Sequence, residues 1–192
     1  MDYVIYFEGL KRKLQGLTDT KIITKNIKEY TKEFFEKDIN KVVLYSKNGG
    51  EFLYDVSVLS FDPKKVIGSK KREIIINNNF LEYNSFLLLE SELGGESASS
   101  ALGVFRNVVK DFLKLMIGNS KYKVMIMAVS PYKEEHNYIE NRLKVLEELY
   151  KKSECNSDIL ILTIEGFHRK EKTQIKLDTS KMHYKIFSKN NN

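Results

Sequence analysis

"FLLLESELGG", residues 86–95, decides how this chain is read. Phe86, Leu87, Leu88 and Leu89 form an unbroken apolar run, the pattern of a strand buried on both faces. The run then delivers Glu90 and Glu92, two carboxylates separated by one residue. Side chains at that spacing on a strand point the same way, so the acids are expected side by side. Neighbouring carboxylates repel by roughly 3–4 kcal/mol at about 4–5 Å where the effective dielectric is near 20. A bound cation is the expected compensation.

Upstream, "KVVLYSK" (41–47) and "EFLYDVSVLSF" (51–61) are β-rich runs separated by Asn48-Gly49-Gly50, a strong hairpin signal. "TKIITKNIKEYTKEFFEKD" (20–38) carries Ile23, Ile27, Tyr30 and Phe34 at helical spacing and predicts an amphipathic helix. It is the first element the pattern marks out. Residues 62–83 are basic and then Asn-rich, with "EIIIN" (73–77) as a possible extra strand, and "NSFLLLESEL" (84–93) is the third core strand.

Downstream, Gly94-Gly95 breaks that strand and "ESASSALGVFRNVVKDFLKLMIGN" (96–119) predicts a helix ending near Gly118. Leu102, Phe105, Val109, Phe112, Leu113 and Met116 are its expected inner face. "YKVMIMAVS" (122–130) is a buried strand, and "KEEHNYIENRLKVLEELYKK" (133–152) a second long helix with Ile139, Leu143, Leu146 and Leu149 as its stripe. "DILILTIEGF" (158–167) is a further strand, while "TQIKLD" (173–178) and "MHYKIFS" (182–188) suggest a terminal hairpin. The order begins as an antiparallel meander and then acquires helical crossovers, which demand parallel neighbours. An α/β fold follows: a mixed central β-sheet flanked by helices on both faces.

The totals bound the rest. A chain of 192 residues, 42% hydrophobic and 30% charged, suits one domain with a real core and is thin for two. No apolar stretch approaches a membrane span, and "MDYVIYFEGLKRK" lacks the order of a signal peptide. Cys155, the one cysteine, excludes an internal disulfide framework and suits a reducing compartment, so a cytoplasmic protein is expected. Cys155 itself reads as a structural or surface thiol. The net charge is +6, and residues 166–192 carry seven Lys/Arg against two Asp/Glu. "DPKKVIGSKKRE" (62–73) is a second basic cluster. Such clusters suit phosphate backbones; they also occur simply as solvated loops and tails.

Asp55 stands inside an otherwise apolar strand, where aspartate is poor material and needs a partner if buried. The meander brings it near Glu90 and Glu92. Three converging acids without a neighbouring His or Cys suit Mg²⁺ or Mn²⁺ rather than zinc. In "VVKDFLKLM", Lys110 and Lys114 share a helix face. Lys110 reads as a surface residue. Lys114, between Leu113 and Leu115, can run its stem along the core and direct its ammonium at the acids. His136, His168 and His183 read as surface residues.

An acid in one hairpin strand, then an apolar strand ending in Glu-x-Glu, resembles the PD-(D/E)xK nuclease superfamily of restriction endonucleases and repair nucleases. Its usual core, a helix, three antiparallel strands, a helix and a strand (αβββαβ), is similar to residues 20–130, leaving 131–165 as a helix–strand extension and 166–192 as a basic C-terminal segment of a single domain. Asp55 corresponds to the motif aspartate and Glu90 to the first acid of the second half-motif. Glu92 stands where lysine is usual, and no proline precedes Asp55. "ESELGG" followed by "DFLKL" resembles a restriction-endonuclease-like branch whose helix carries that lysine, here Lys114. The resemblance implies a Mg²⁺- or Mn²⁺-dependent deoxyribonuclease. Asp55, Glu90 and the backbone carbonyl of Ser91 would hold the ion, Lys114 would position the water, and Glu92 would hold a second ion or take a proton. Lys64, Lys65, Lys70, Lys71, Arg72, Arg169, Lys170 and Lys172 would contact DNA phosphates. First-helix glutamates add a water-mediated metal contact in some members, but Glu29 and Glu33 here read as the wet face of the helix. A double-strand cutter of this kind can work as a homodimer. The alternative is a catalytically degenerate module on the same scaffold that binds nucleic acid or a partner protein.

Overall fold

The first helix lies where the sequence pattern marked none. In the computed structural model, which describes residues 1–47, 53–71, 73–76, 83–94, 100–132, 134–169 and 172–189, Tyr3–Leu14 forms α1. Asp2 caps it, its carboxylate accepting from the amides of Val4 and Ile5 at 2.8 and 3.1 Å. Tyr3, Tyr6, Phe7, Leu10 and Leu14 are buried at helical spacing. Exposed Val4 and Ile5 fill the opposite side and blur that period in the sequence. Thr20–Phe35 follows as α2, capped by Asp19 and burying Ile23, Ile27 and Phe35.

Val42–Leu44 (β1) and Val56–Leu59 (β2) pair antiparallel, with Val42 opposite Leu59. The Asn48-Gly49-Gly50 turn lies outside the described residues. β2 pairs antiparallel with Ser85–Glu92 (β5), and a register shift there leaves Phe86 without a partner. Phe86 stacks edge-on against Phe35 of α2 instead. Between these strands Ile67–Lys70 (β3) and Glu73–Ile76 (β4) form a separate two-stranded sheet. Gly94, at φ +69°, ends the acid-bearing run in a conformation that disfavours a side chain.

Ala101–Ile117 (α3) then carries the chain across to Tyr122–Val129 (β6), parallel to β5. Tyr138–Lys152 (α4) does the same to Ile159–Arg169 (β7). The α4 helix starts five residues later than expected, after Asn137 in a left-handed conformation. Glu135 is held off the helix by a two-pronged bond from Arg142 at 2.7 and 2.6 Å. The expected terminal hairpin is instead one strand, Lys172–Phe187 (β8), antiparallel to β7 along its length. Residues 179–181 are the surplus that made it look like two: Ile164 faces Met182 while Glu165 faces Asp178.

The main sheet runs β1-β2-β5-β6-β7-β8. The α1 and α2 helices cover one face, where Tyr3 meets Tyr122 and Phe7 meets Tyr184. The α3 and α4 helices cover the other, where Phe112 and Tyr150 meet Phe187. The α/β class, mixed sheet and two helical layers therefore stand as expected. Among the described residues, no helix is long and apolar enough to cross a membrane.

Candidate active site

The face that α3 turns to the sheet differs from the expected one, and the difference builds the site. Val104, Val108, Phe112 and Leu115 are the buried stripe, while Leu102 and Leu113 are more than a third exposed. With the helix rotated this way, Asn107, Asp111 and Lys114 form the adjoining stripe, spaced i, i+4 and i+7. It faces the end of β5, where Glu90 and Glu92 project.

Glu90 is only 4% exposed. The Lys114 ammonium closes on its Oε1 as an ion pair, yet that oxygen is buried and receives no hydrogen bond of proper geometry. Burial raises the Glu90 carboxyl, with Asp55 and Asp111 adding to the rise and Lys114 opposing it, to a pKa of about 7. Burial also raises Glu92, whose Oε1 accepts from the Gly94 amide at 2.8 Å, and Asp111. Burial works against the charge on Lys114, but Glu90, Asp111 and Tyr54 outweigh it and lift its pKa. The ammonium lies 4.8 Å from the centre of the Tyr54 ring, and the Tyr54 hydroxyl donates to the Lys114 carbonyl at 3.3 Å.

Asp55 sits one residue before β2 rather than inside it. Its Oδ2 accepts from the Ser91 amide at 2.8 Å and the Ser91 hydroxyl at 2.7 Å. Its Oδ1 pairs with the ammonium of Lys28, on α2, at 3.2 Å. Asp55 and Glu90 are thus within electrostatic reach, but their cations arrive from opposite faces of the sheet. Lys28 and Lys114 stand against the charge of Asp55 and Glu90, and the Ser91 amide and hydroxyl both donate to Asp55. Among the described residues, no three carboxylate, imidazole or thiol groups are gathered closely enough to hold a metal by themselves.

The structure therefore brings together Asp55, Glu90, Ser91, Glu92 and Lys114, and adds Lys28, Tyr54 and Asp111, which the sequence reading left out. A lysine beside the Ile23–Ile27 stripe was the available signal for Lys28, which is 8% exposed. Glu29 and Glu33 are engaged in ion pairs with Lys25 at 3.8 Å and Lys13 at 3.0 Å. Lys64 and Lys65 lie in the short 3₁₀ turn Pro63–Lys65, with Lys65 3.6 Å from Asp62. Lys70 ends β3 and Lys71 follows it. Arg169 and Lys172 are paired by backbone register where β7 meets β8, and Arg72 and Lys170 lie outside the described residues. His136 and His183 are exposed, as expected, and Cys155 is a buried thiol.

The chain matches no known protein family, no characterised protein and no solved structure. The case for a function rests on this site and on the order of the elements that build it.

Proposed function

We propose that the chain is a divalent-metal-dependent hydrolase of DNA phosphodiester bonds, built on a restriction-endonuclease-like core. One observation carries the reading. A buried glutamate at the end of a central strand is engaged by a lysine from the following crossover helix, with the Asp55 carboxylate beside it. The run α2, β1, β2, β5, α3 and β6, with its antiparallel and then parallel pairings, supports the same core.

The residues fit a small hard cation. All the candidate donors are oxygens, and Oε1 of Glu90 is buried against the Lys114 ammonium with no hydrogen bond of proper geometry. Mg²⁺ keeps several waters and needs one or two carboxylates, so Asp55, Glu90 and the Ser91 carbonyl suffice. Held by these groups, such an ion would supply polarisation of a scissile phosphate and a lowered pKa for a bound water. The Ser91 amide and hydroxyl fix Asp55 in place. The Lys114 ammonium, seated on Tyr54, orients the attacking water and offsets charge developing on the phosphate. Glu92, its affinity for protons raised by burial, takes up the proton that the water releases. Plasmid DNA incubated with Mg²⁺ or Mn²⁺ is expected to be nicked or linearised by the wild type and left intact by Glu90→Gln. Equal cutting by both would refute this assignment.

A second reading has its own support. Asp55, Glu90 and Glu92 each already have a partner, from Lys28 and Ser91, Lys114, and Gly94 respectively. That closed arrangement suits a degenerate module that binds nucleic acid or a partner without metal. The two readings separate in a thermal titration: an ion that binds only the folded form raises the melting temperature as its concentration passes Kd. A flat curve with both ions favours the degenerate module.

A further inference from the structure

On the α2 side, reaching the end of the acid-bearing strand at Glu92, a cavity of about 460 Å³ opens between the start of α2 and the ends of β1 and β5. Lys21, Lys25, Lys28 and Lys47 all line it, together with the hydroxyls of Thr24 and Ser46. Lys21, Lys25 and Lys28 follow at i, i+4 and i+7 and so share one helix face. Among the described residues, Glu92 is the one carboxylate of the lining. Its Oε1 is taken by the Gly94 amide and its charge is disfavoured by burial. Lys25 is paired with Glu29 at 3.8 Å and Lys28 with Asp55 at 3.2 Å, so among the described residues the excess of positive charge rests on Lys21 and Lys47, and the volume is in the range of small-ligand sites.

We propose that this cavity binds a phosphoryl group of a nucleic-acid strand. Clustered ammonium groups beside hydroxyl donors are the chemistry that recognises a phosphate dianion or diester. Lys28 gives the cavity a second role. Its buried ammonium is at once part of the lining and the partner of Asp55 Oδ1 at 3.2 Å. A phosphoryl group drawing Lys28 toward the cavity frees that oxygen of Asp55. Occupancy of the pocket and readiness of the acid are thereby coupled. Only the nature of the strand rests on the hydrolysis reading; anion binding does not, and it can be measured with the reaction switched off.

The test uses the full chain in EDTA, wild type and Glu90→Gln alike. A fluorescent single-stranded DNA oligonucleotide is offered with a 5′-phosphate, a 3′-phosphate or hydroxyls at both ends. Inorganic phosphate serves as competitor at constant ionic strength. The double variant Lys21→Gln/Lys47→Gln changes two exposed side chains and is expected to melt with the wild type. It is expected to bind about tenfold more weakly, and phosphate is expected to displace DNA from the wild type more effectively than chloride does. Lys144→Gln, an exposed lysine on α4, controls for general surface charge and is expected to bind as the wild type does. Loss confined to one phosphorylated end identifies a terminal phosphate as the occupant, and equal loss for all three oligonucleotides identifies a backbone phosphate. Unchanged binding by the double variant overturns the proposal, as does an equal loss in Lys144→Gln. DNA that binds through the pocket but is never cut with metal present would leave the pocket standing and remove the hydrolase.

Discussion

Glu90 is the residue on which the proposed chemistry turns, and its titration gives the sharpest prediction. A carboxyl whose pKa is raised in the folded state holds its proton more tightly there than in the unfolded chain. The associated stability is present below the unfolded value of 4.5 and drains away as pH rises through the folded value of about 7. Between those limits the wild type is expected to lose up to roughly 3 kcal/mol relative to Glu90→Gln, read from urea unfolding at a series of pH values. A parallel dependence in both proteins would mean that Glu90 is not the titrating group. Lys114→Met removes the ammonium that opposes this rise. The Glu90 titration is then expected to move further up, visible in carbon-13 carboxyl shifts, and cutting to disappear. Asp55→Asn keeps the shape but weakens the pair with Lys28 and the charge-assisted bonds from Ser91. A loss of the metal-induced rise in melting temperature is the expected result. Glu90, Glu92 and Asp55 were legible in the sequence because acids in apolar strands stand out. Lys28 and Asp111 were not, because a lysine or an aspartate on an amphipathic helix looks like wet surface until the helix rotation is known.

At the scale of elements, the α3–β5 contact sets how well the site is held. Gly118 ends α3 with an ordinary φ of −62°, so the demand there is for space rather than for backbone freedom. A Cβ at this position would collide with the Tyr54 hydroxyl and come within 2.6 Å of Leu88. Gly118→Ala is therefore expected to cost about 1–3 kcal/mol and to shift the Tyr54 ring from beneath Lys114, lowering activity as well as melting temperature. Ser100, whose hydroxyl accepts from the Gly103 amide at 3.0 Å, caps the other end. Ser100→Ala is expected to cost about 1 kcal/mol without touching metal response, which separates helix stability from site geometry. The antiparallel start and both helical crossovers were readable from apolar runs and helical stripes. The stripe of α3 was not, because Phe105, Val109 and Met116 are apolar enough to compete with Val104, Val108 and Leu115 for the inner face. Only packing against β5, β6 and α4 decides between them. The long β8 was equally hidden, since the surplus residues Thr179, Ser180 and Lys181 interrupt its alternation.

Across the whole molecule, the turn between α1 and α2 is fastened to β8. The amide of Leu177, on β8, donates to the Thr18 carbonyl at 3.0 Å, and the Thr179 hydroxyl donates to the Leu17 carbonyl at 3.0 Å. Lys176 pairs with Asp19 at 3.1 Å, the same aspartate that caps α2. Asp19→Ala thus removes a cap and a partly buried ion pair together. A loss of about 1–2 kcal/mol is expected, along with weaker phosphate binding at the lysines of α2. Unchanged stability would show that the last strand does not brace the helix. The fastening has a consequence for synthesis. Ribosomes deliver the acids by residue 92 and Lys114 soon after, but β8, which anchors the start of α2, is made only at residues 172–187. A growing polypeptide therefore carries these side chains unassembled until that strand has been synthesised.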